Sequence, residues 1–340
     1  MKDDKNKRKH EIVLFAVDNY IKSAQPITSG MLNQHFSDIS SATLRNELNA
    51  LESMGYFKQL HTSGGRVPTS LAYKEYVNNI IQTDKLNYKN ISEVISSYEN
   101  RSVSLISTLS SLAKRLSKAT NCPAVLVQHG LKNLIIQNFQ IIPLINKDAL
   151  LLVETNAGII DDNMSLDPNI DRASCEEASK YLTTHFKGKT IEFMIDHIND
   201  AVLKAGAQMA EFKSLITGVA DVLMAVIKTK CDVASENPTK LLDSRTDSEI
   251  DDFKSVFKFL EDDETLIDTI KSDTDELNFT IGEEGDEKLE NGMMMSAPIV
   301  INGTPIASLA LVGPKRVDYA NIAAALKFIV GQIDQKGDER

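Results

Sequence analysis

Arg45, Asn46 and Asn49 lie close together in the stretch SSATLRNELNALESMGYFKQLHTSGGRVPTS, which runs from Ser40 to Ser70. Their side chains match base edges in the major groove of DNA, where Asn pairs with adenine and Arg with guanine, each good pair discriminating by about 1–3 kcal/mol. Thr43 flanks the same face. Ser40 and Ser41, at a helix start, are placed to meet phosphates, aided by the N-terminal end of the helix. Downstream, His61, Thr62, Ser63, Gly64, Gly65 and Arg66 form a basic turn, in which Arg66 and the turn backbone are expected to grip phosphates and the two glycines allow close approach to a duplex. The same pattern also suits a protein-contact module. Arg45 is as good a surface helix former as it is a base reader, so spacing leaves both roles open.

Other chemistries find little support in the sequence. It holds no GxGxxG or GxxxxGK[ST] phosphate loop, no HExxH zinc pair and no GxSxG elbow. The histidines at 10, 35, 61, 129, 185 and 197 show no ligand spacing. Glu283, Glu284, Asp286 and Glu287 sit together between Gly282 and Gly285, where solvated acids are expected rather than a proton-transfer pair. Cys122, Cys175 and Cys231 are far apart and form no CxxC, so buried thiols are expected, with no metal and no cofactor.

A series of short elements must position the polar face. Residues 11–21, EIVLFAVDNYI, read as a helix that Pro26 ends, and Thr28 or Ser29 caps a second helix with apolar contacts at Met31, Leu32 and Phe36. Ser40 or Ser41 caps a third helix. On it Leu44, Leu48 and Leu51 share one side at 100° per residue, which turns Ala42, Asn46 and Asn49 outward. Gly55 ends that helix, Tyr56 to Leu60 make a strand, and the return through Arg66 and Val67 must be an edge because Pro68 lacks an N–H. A helix from Thr69 or Ser70 follows. Three helices and a two-stranded wing are the winged helix-turn-helix order.

Beyond residues 82–92, a polar hinge, comes a Ser-rich helix ending near Thr120, then strand-rich segments up to Asp162. From about Asp167 to Val233 the period turns helical. Met209, Phe212, Leu215, Ile216, Val219, Val222, Leu223 and Val226 keep one apolar stripe there, which fits either a partner helix or an internal bundle. The acidic span Asp247–Glu290 reads as a solvated face or loop, and strands resume at NFTIGEE and in SAPIVINGTPIASLALVGP with an Asn302-Gly303 hairpin turn. The net charge of -11 is uneven: residues 1–80 carry 10 Lys+Arg against 8 Asp+Glu. A local positive surface is therefore compatible with an acidic chain. No apolar run is long enough to span a bilayer and no leader pattern opens the chain, so a cytoplasmic protein without membrane contact is expected.

The stretch SSATLRNELNALESMGYFKQLHTSGGRVPT resembles the winged helix of the HrcA family of heat-inducible transcription repressors, and IGEE with GPKRVDYANI resembles that family's second signature. Gly64, Val67 and Val317 depart mildly from the residues common there, Ala, Ile and Met. The resemblance implies an α+β chain: an N-terminal winged helix-turn-helix domain, then a GAF-like α/β domain interrupted by an inserted helical dimerisation domain. The corresponding bounds are 1–85, 86–165 with the linker helix, 166–235 for the insert and 236–340. It also implies that strands from Cys122 to Asp162 and from Asn278 to Pro314 complete one sheet. The implied partners are an inverted-repeat operator of double-stranded DNA upstream of chaperone genes, a second copy of the chain, and the GroEL chaperonin; binding is expected to be lost on heat stress. A second reading from another class is a small-molecule sensor or enzyme built on the GAF-like domain.

Overall fold

The computed structural model describes residues 2–59, 65–84, 86, 104–145, 147–204, 210–228, 230–234, 247–270, 277–283 and 289–337. The first helix, α1, spans Lys2–Ser23. It starts well before residue 11, because residues 2–10 hold no Gly or Pro and are rich in Lys and Arg, which favour helix. Ala24, at φ 56°, breaks it ahead of Pro26. In α2 (Ser29–His35) the Thr28 hydroxyl accepts the Met31 N–H at 3.2 Å, and in α3 (Ser41–Ser53) the Ser40 hydroxyl accepts the Thr43 N–H at 3.1 Å. Strands β1 (Phe57–Gln59) and β2 (Arg66–Pro68) pair antiparallel, and α4 (Ser70–Thr83) follows. Strand β2 is the edge expected of it, with a single isolated bridge beyond it among the described residues. Ile27 exchanges backbone hydrogen bonds with Arg66 at 2.8 and 2.9 Å on the side away from β1, while Pro68, two residues on, leaves that side unbonded. Ile12, Val17, Leu32, Leu44, Leu48, Leu51, Phe57, Tyr73 and Val77 close this core.

Helix α5 (Leu105–Thr120) leads into a five-stranded sheet. Its order is β7 (Lys230–Ala234), β3 (Ala124–Gln128), β10 (Thr304–Pro314), β9 (Gly292–Ile301), β8 (Asn278–Ile281), with every ladder antiparallel. Val125, Val127, Met294, Ala310 and Val312 face one side. There they meet Val256 and Phe259 of α9 (Asp247–Leu260) and Leu266 and Ile270 of α10 (Asp263–Ile270), while Phe253 of α9 is buried in the larger cluster. The acidic span is thus more than a solvated face, since its Phe-x-x-Val-x-x-Phe spacing supplies an apolar stripe beneath the charges. The opposite side packs on α5 and on α11 (Tyr319–Gly337).

The chain leaves this sheet after Gln128 and returns at its register partner Lys230, in the neighbouring strand. The segment between contains β4 (Ile136–Pro143), β5 (Asp148–Thr155) and β6 (Gly158–Ser165), followed by α6 (Arg172–Phe186), α7 (Ile191–Lys204) and α8 (Ala210–Ile227). The three strands form a separate antiparallel sheet, so the expected single sheet does not form. The reason is local pattern: β3 is buried at all positions and needs cover on both faces, whereas β4 and β5 alternate and need only one. Helix α6 supplies that cover and also closes the β4 edge, where the hydroxyls of Thr183 and Ser179 each accept a backbone N–H, from Phe139 and Ile141, at 3.0 Å.

The α8 stripe is spent inside the chain. Leu215, Ile216, Val219, Leu223 and Val226 are buried against α6, α7 and β6, and Phe212 and Val222 are partly buried with them. Met209 lies outside the described residues. These side chains are therefore not free to receive a partner helix. Outward apolar residues of this region include Phe193, Leu203 and Met224 on its helices, Ile135 just before β4, Ile142 within it, and Leu144 and Ile145 at the β4–β5 turn.

Helix α4 docks the first module onto the five-stranded one. Ser70 Oγ donates to the Gly282 carbonyl at 2.8 Å in a buried contact, Lys74 pairs with Glu283 at 2.8 Å, and Arg316 donates to the Ile21 carbonyl at 3.2 Å. Tyr73 packs against buried Tyr319 at 5.9 Å between ring centroids. Gly282 has no room for a side chain, since a Cβ there would lie 1.6 Å from the Leu289 carbonyl oxygen. Glu283 is thus one end of an ion pair, and Glu284, Asp286 and Glu287 lie outside the described residues.

Candidate nucleic-acid interface

The third helix turns two unlike faces to its surroundings. Leu44, Leu48 and Leu51 are buried, while Ser41, Ala42, Arg45, Asn46 and Asn49 are exposed and Thr43 is half-buried. Arg45 makes no hydrogen bond or ion pair to another described residue, and its guanidinium is available to a ligand. Ser40 is committed as the helix cap, and its hydroxyl also shares a 2.9 Å hydrogen bond with the Thr43 hydroxyl. Strand β1 adds exposed Lys58 and Gln59 beside buried Phe57.

Two expected members of the site are placed differently. Gly65 packs inward: a Cβ there would fall 2.8 Å from Pro26 Cβ and from the Pro26 and Ile27 carbonyl oxygens, so the glycine serves an internal chain crossing. Arg66 is only 15% exposed along its side chain and donates from Nε to Glu52 Oε2 at 2.7 Å and from Nη2 to Asn49 Oδ1 at 2.5 Å. His61, Thr62, Ser63 and Gly64 lie outside the described residues.

Glu47 is a residue the sequence reasoning passed over. It sits on the leucine side of α3, 3% exposed, and accepts from Arg8 Nη2 of α1 at 2.8 Å. An acid on an otherwise apolar helix face was the signal available. A hydrogen bond between His10 Nδ1 and Glu75 Oε1 at 2.6 Å ties α1 to α4. The helix that carries the exposed polar residues is thus braced from α1 through Glu47 and from β2 through Asn49 and Glu52.

A family model described as the HrcA protein C terminal domain matches residues 106–323. A protein named Heat-inducible transcription repressor HrcA from Clostridioides difficile (strain 630) is 30% identical over 340 residues, covering 97% of this chain and 99% of its own. The chain belongs to the HrcA family. A second HrcA relative, from Ruminiclostridium cellulolyticum (strain ATCC 35319 / DSM 5812 / JCM 6584 / H10), is 26% identical over 337 residues and covers 97% of this chain and 96% of its own. A crystal structure described as a hypothetical protein at 2.2 Å resolution superposes with a TM-score of 0.69 at 18% identity, covering 98% of both chains, which speaks to the fold alone. The HrcA model spans the sheets and the helices between them, and the whole-length HrcA relatives extend the match across α3 and the hairpin.

Elsewhere, one cleft of about 560 Å³ lies between β4 and α6, lined among others by Phe139, Ile141, Arg172, Ser179, Lys180 and Thr183. It belongs to the segment between β3 and β7, apart from the five-stranded sheet. Among the described residues no helix is long and apolar enough to cross a membrane.

Proposed function

We propose that this chain represses its genes by placing α3 in the major groove of an operator, with two copies of the chain gripping the two halves of an inverted repeat. As a member of the HrcA family it is a transcriptional repressor of heat-shock genes, a role that implies binding to DNA. The observation that carries the reading is the uncommitted Arg45 beside Asn46 and Asn49 on the one exposed face of a helix otherwise fixed in a core. In this reading Arg45, Asn46, Asn49 and Thr43 meet bases. Ser41, the first-turn backbone of α3 and the turn at His61, Thr62, Ser63 and Gly64 meet phosphates. Ser40 contributes as the cap that holds the first turn.

The first module is read as a winged helix-turn-helix, the five-stranded sheet with its helices as the GAF-like domain, and the segment between β3 and β7 as the dimerisation insert. Two copies meet through outward apolar residues of that insert, with Leu203 of α7, 75% exposed, among them. The protein acts in the cytoplasm without catalysis, releases its operator on heat stress and draws on the GroEL chaperonin for its folding.

Titration of a labelled inverted-repeat duplex tests the interface. Arg45→Ala and Asn46→Ala are expected to weaken binding by about 1–3 kcal/mol each and to relax the preference at the base each one reads. Wild-type affinity should fall with a slope of about 0.9 log units per log unit of salt for every phosphate engaged. Unchanged affinity in both variants, or a flat salt response, would remove α3 from the groove.

A further inference from the structure

We infer that Arg66 is a positioning residue that sets the orientation of the base-reading face, and not a contact to the DNA backbone; the inference rests on α3 being the reading helix. The backbone N–H and C=O of Arg66 both bond Ile27, and the register sets Arg66 opposite Gln59 of β1, so the origin of its side chain is fixed. The guanidinium then spans from strand to helix. It gives Nε to Glu52 and Nη2 to Asn49, residues one helical turn apart, and a planar fork of donors suits two acceptors at such spacing in a way that a single ammonium does not.

Three consequences follow from that geometry. The Asn49 amide loses its freedom to flip, since its oxygen is turned toward Arg66 and its NH₂ group is left to face outward from an exposed position. The Glu52 carboxylate lies against the guanidinium, neutralising the charge a phosphate would need and repelling the phosphate itself. The side chain is largely covered, whereas Arg45 on the neighbouring turn is exposed. Phosphate contact falls to other groups, and Arg66 acts through Asn49.

The test uses the full chain and fluorescence anisotropy on a cognate inverted-repeat duplex and on a scrambled duplex, at several salt concentrations. Arg66→Ala is expected to weaken cognate binding about tenfold, within the range of one lost base pairing. It should leave scrambled binding and the salt slope as in the wild type. Arg66→Lys should fail to restore the lost discrimination, and in an Asn49→Ala background Arg66→Ala should cost far less than alone. If Arg66→Ala unfolds the module, Glu52→Gln gives the answer without removing the cation: the cognate-to-scrambled ratio should drop. The inference is overturned if Arg66→Ala lowers the salt slope by about 0.9 and weakens both duplexes alike, if Arg66→Lys behaves as wild type, or if Glu52→Gln leaves the ratio unchanged. Should Arg45→Ala and Asn46→Ala also bind as wild type, the reading of α3 itself fails; if they are impaired while Arg66→Ala is silent, only the inference about Arg66 fails.

Discussion

Glu47 and Arg8 show how a single charge placed inside can govern a surface. The Glu47 side chain is 4% exposed and the Arg8 side chain 30%, so the two ends of this ion pair are not equivalent. Removing Arg8 strands a carboxylate among leucines, whereas removing Glu47 frees a guanidinium that water can reach. Arg8→Ala is therefore expected to destabilise the first module by about 2–3 kcal/mol, in the range of charged hydrogen bonds, and Glu47→Leu by clearly less. Urea denaturation of the two variants checks the order, and equal costs or the reverse order would show that the pair is not desolvated as described. Arg66 follows the same logic one turn further along α3. The sequence offers Arg66 only as a basic residue of the turn, expected to grip phosphate, and its partners Glu52 and Asn49 come close only once β2 is laid beside the helix.

At the scale of elements, caps decide where helices begin. Asp171 starts α6 and Asp262 starts α10, each carboxylate accepting from a backbone N–H and a hydroxyl three residues on, at 2.8 and 2.8 Å from Ser174 and at 3.1 and 2.7 Å from Thr265. The Ser174 backbone bond, and then its hydroxyl, hold the Asp171 carboxyl below its ordinary value; for Asp262 the Thr265 hydroxyl is the larger cause. A depressed carboxyl contributes fully above its unfolded value of 3.8 and loses that contribution as pH falls through the lower folded value. Acid unfolding followed by circular dichroism should thus begin at higher pH in Asp171→Asn than in the parent, and coincident acid limbs would show that the cap contributes nothing. The caps at Thr28 and Ser40 and the Leu44, Leu48, Leu51 stripe were legible in the sequence because their partners lie within four residues, whereas the caps at Asp171 and Asp262 were passed over. The two-sheet division went unread, since a single sheet was expected, and continuous burial in β3 against alternation in β5 shows itself only in the folded chain. The closing of the β4 edge by Ser179 and Thr183 was not legible, because it joins residues brought together by the turn before α6. The stripe of α8 was read as periodicity, and periodicity does not say whether its cover comes from the same chain.

At the scale of the whole molecule, that last distinction sets the assembly. Leu215 is 1% exposed and Leu203 is 75% exposed, so the two leucines should answer different measurements. Leu203→Asp is expected to yield a well-folded monomer in sedimentation experiments, with operator affinity reduced to that of one half-site. Leu215→Ala is expected to cost about 2–5 kcal/mol of stability, by leaving a cavity, without shifting the association state of the folded protein. A dimeric Leu203→Asp protein would move the interface elsewhere. The order of strands in the larger sheet carries a consequence for how the protein is made. Val127 pairs with Cys231 on one side and with Ser308 on the other, and both partners leave the ribosome long after it does. Until they arrive, an apolar strand destined for the centre has nothing beside it, and pairings so distant in sequence form late and leave sticky intermediates. The larger sheet is thereby expected to close only after its C-terminal strands have been made, with an apolar strand uncovered until then.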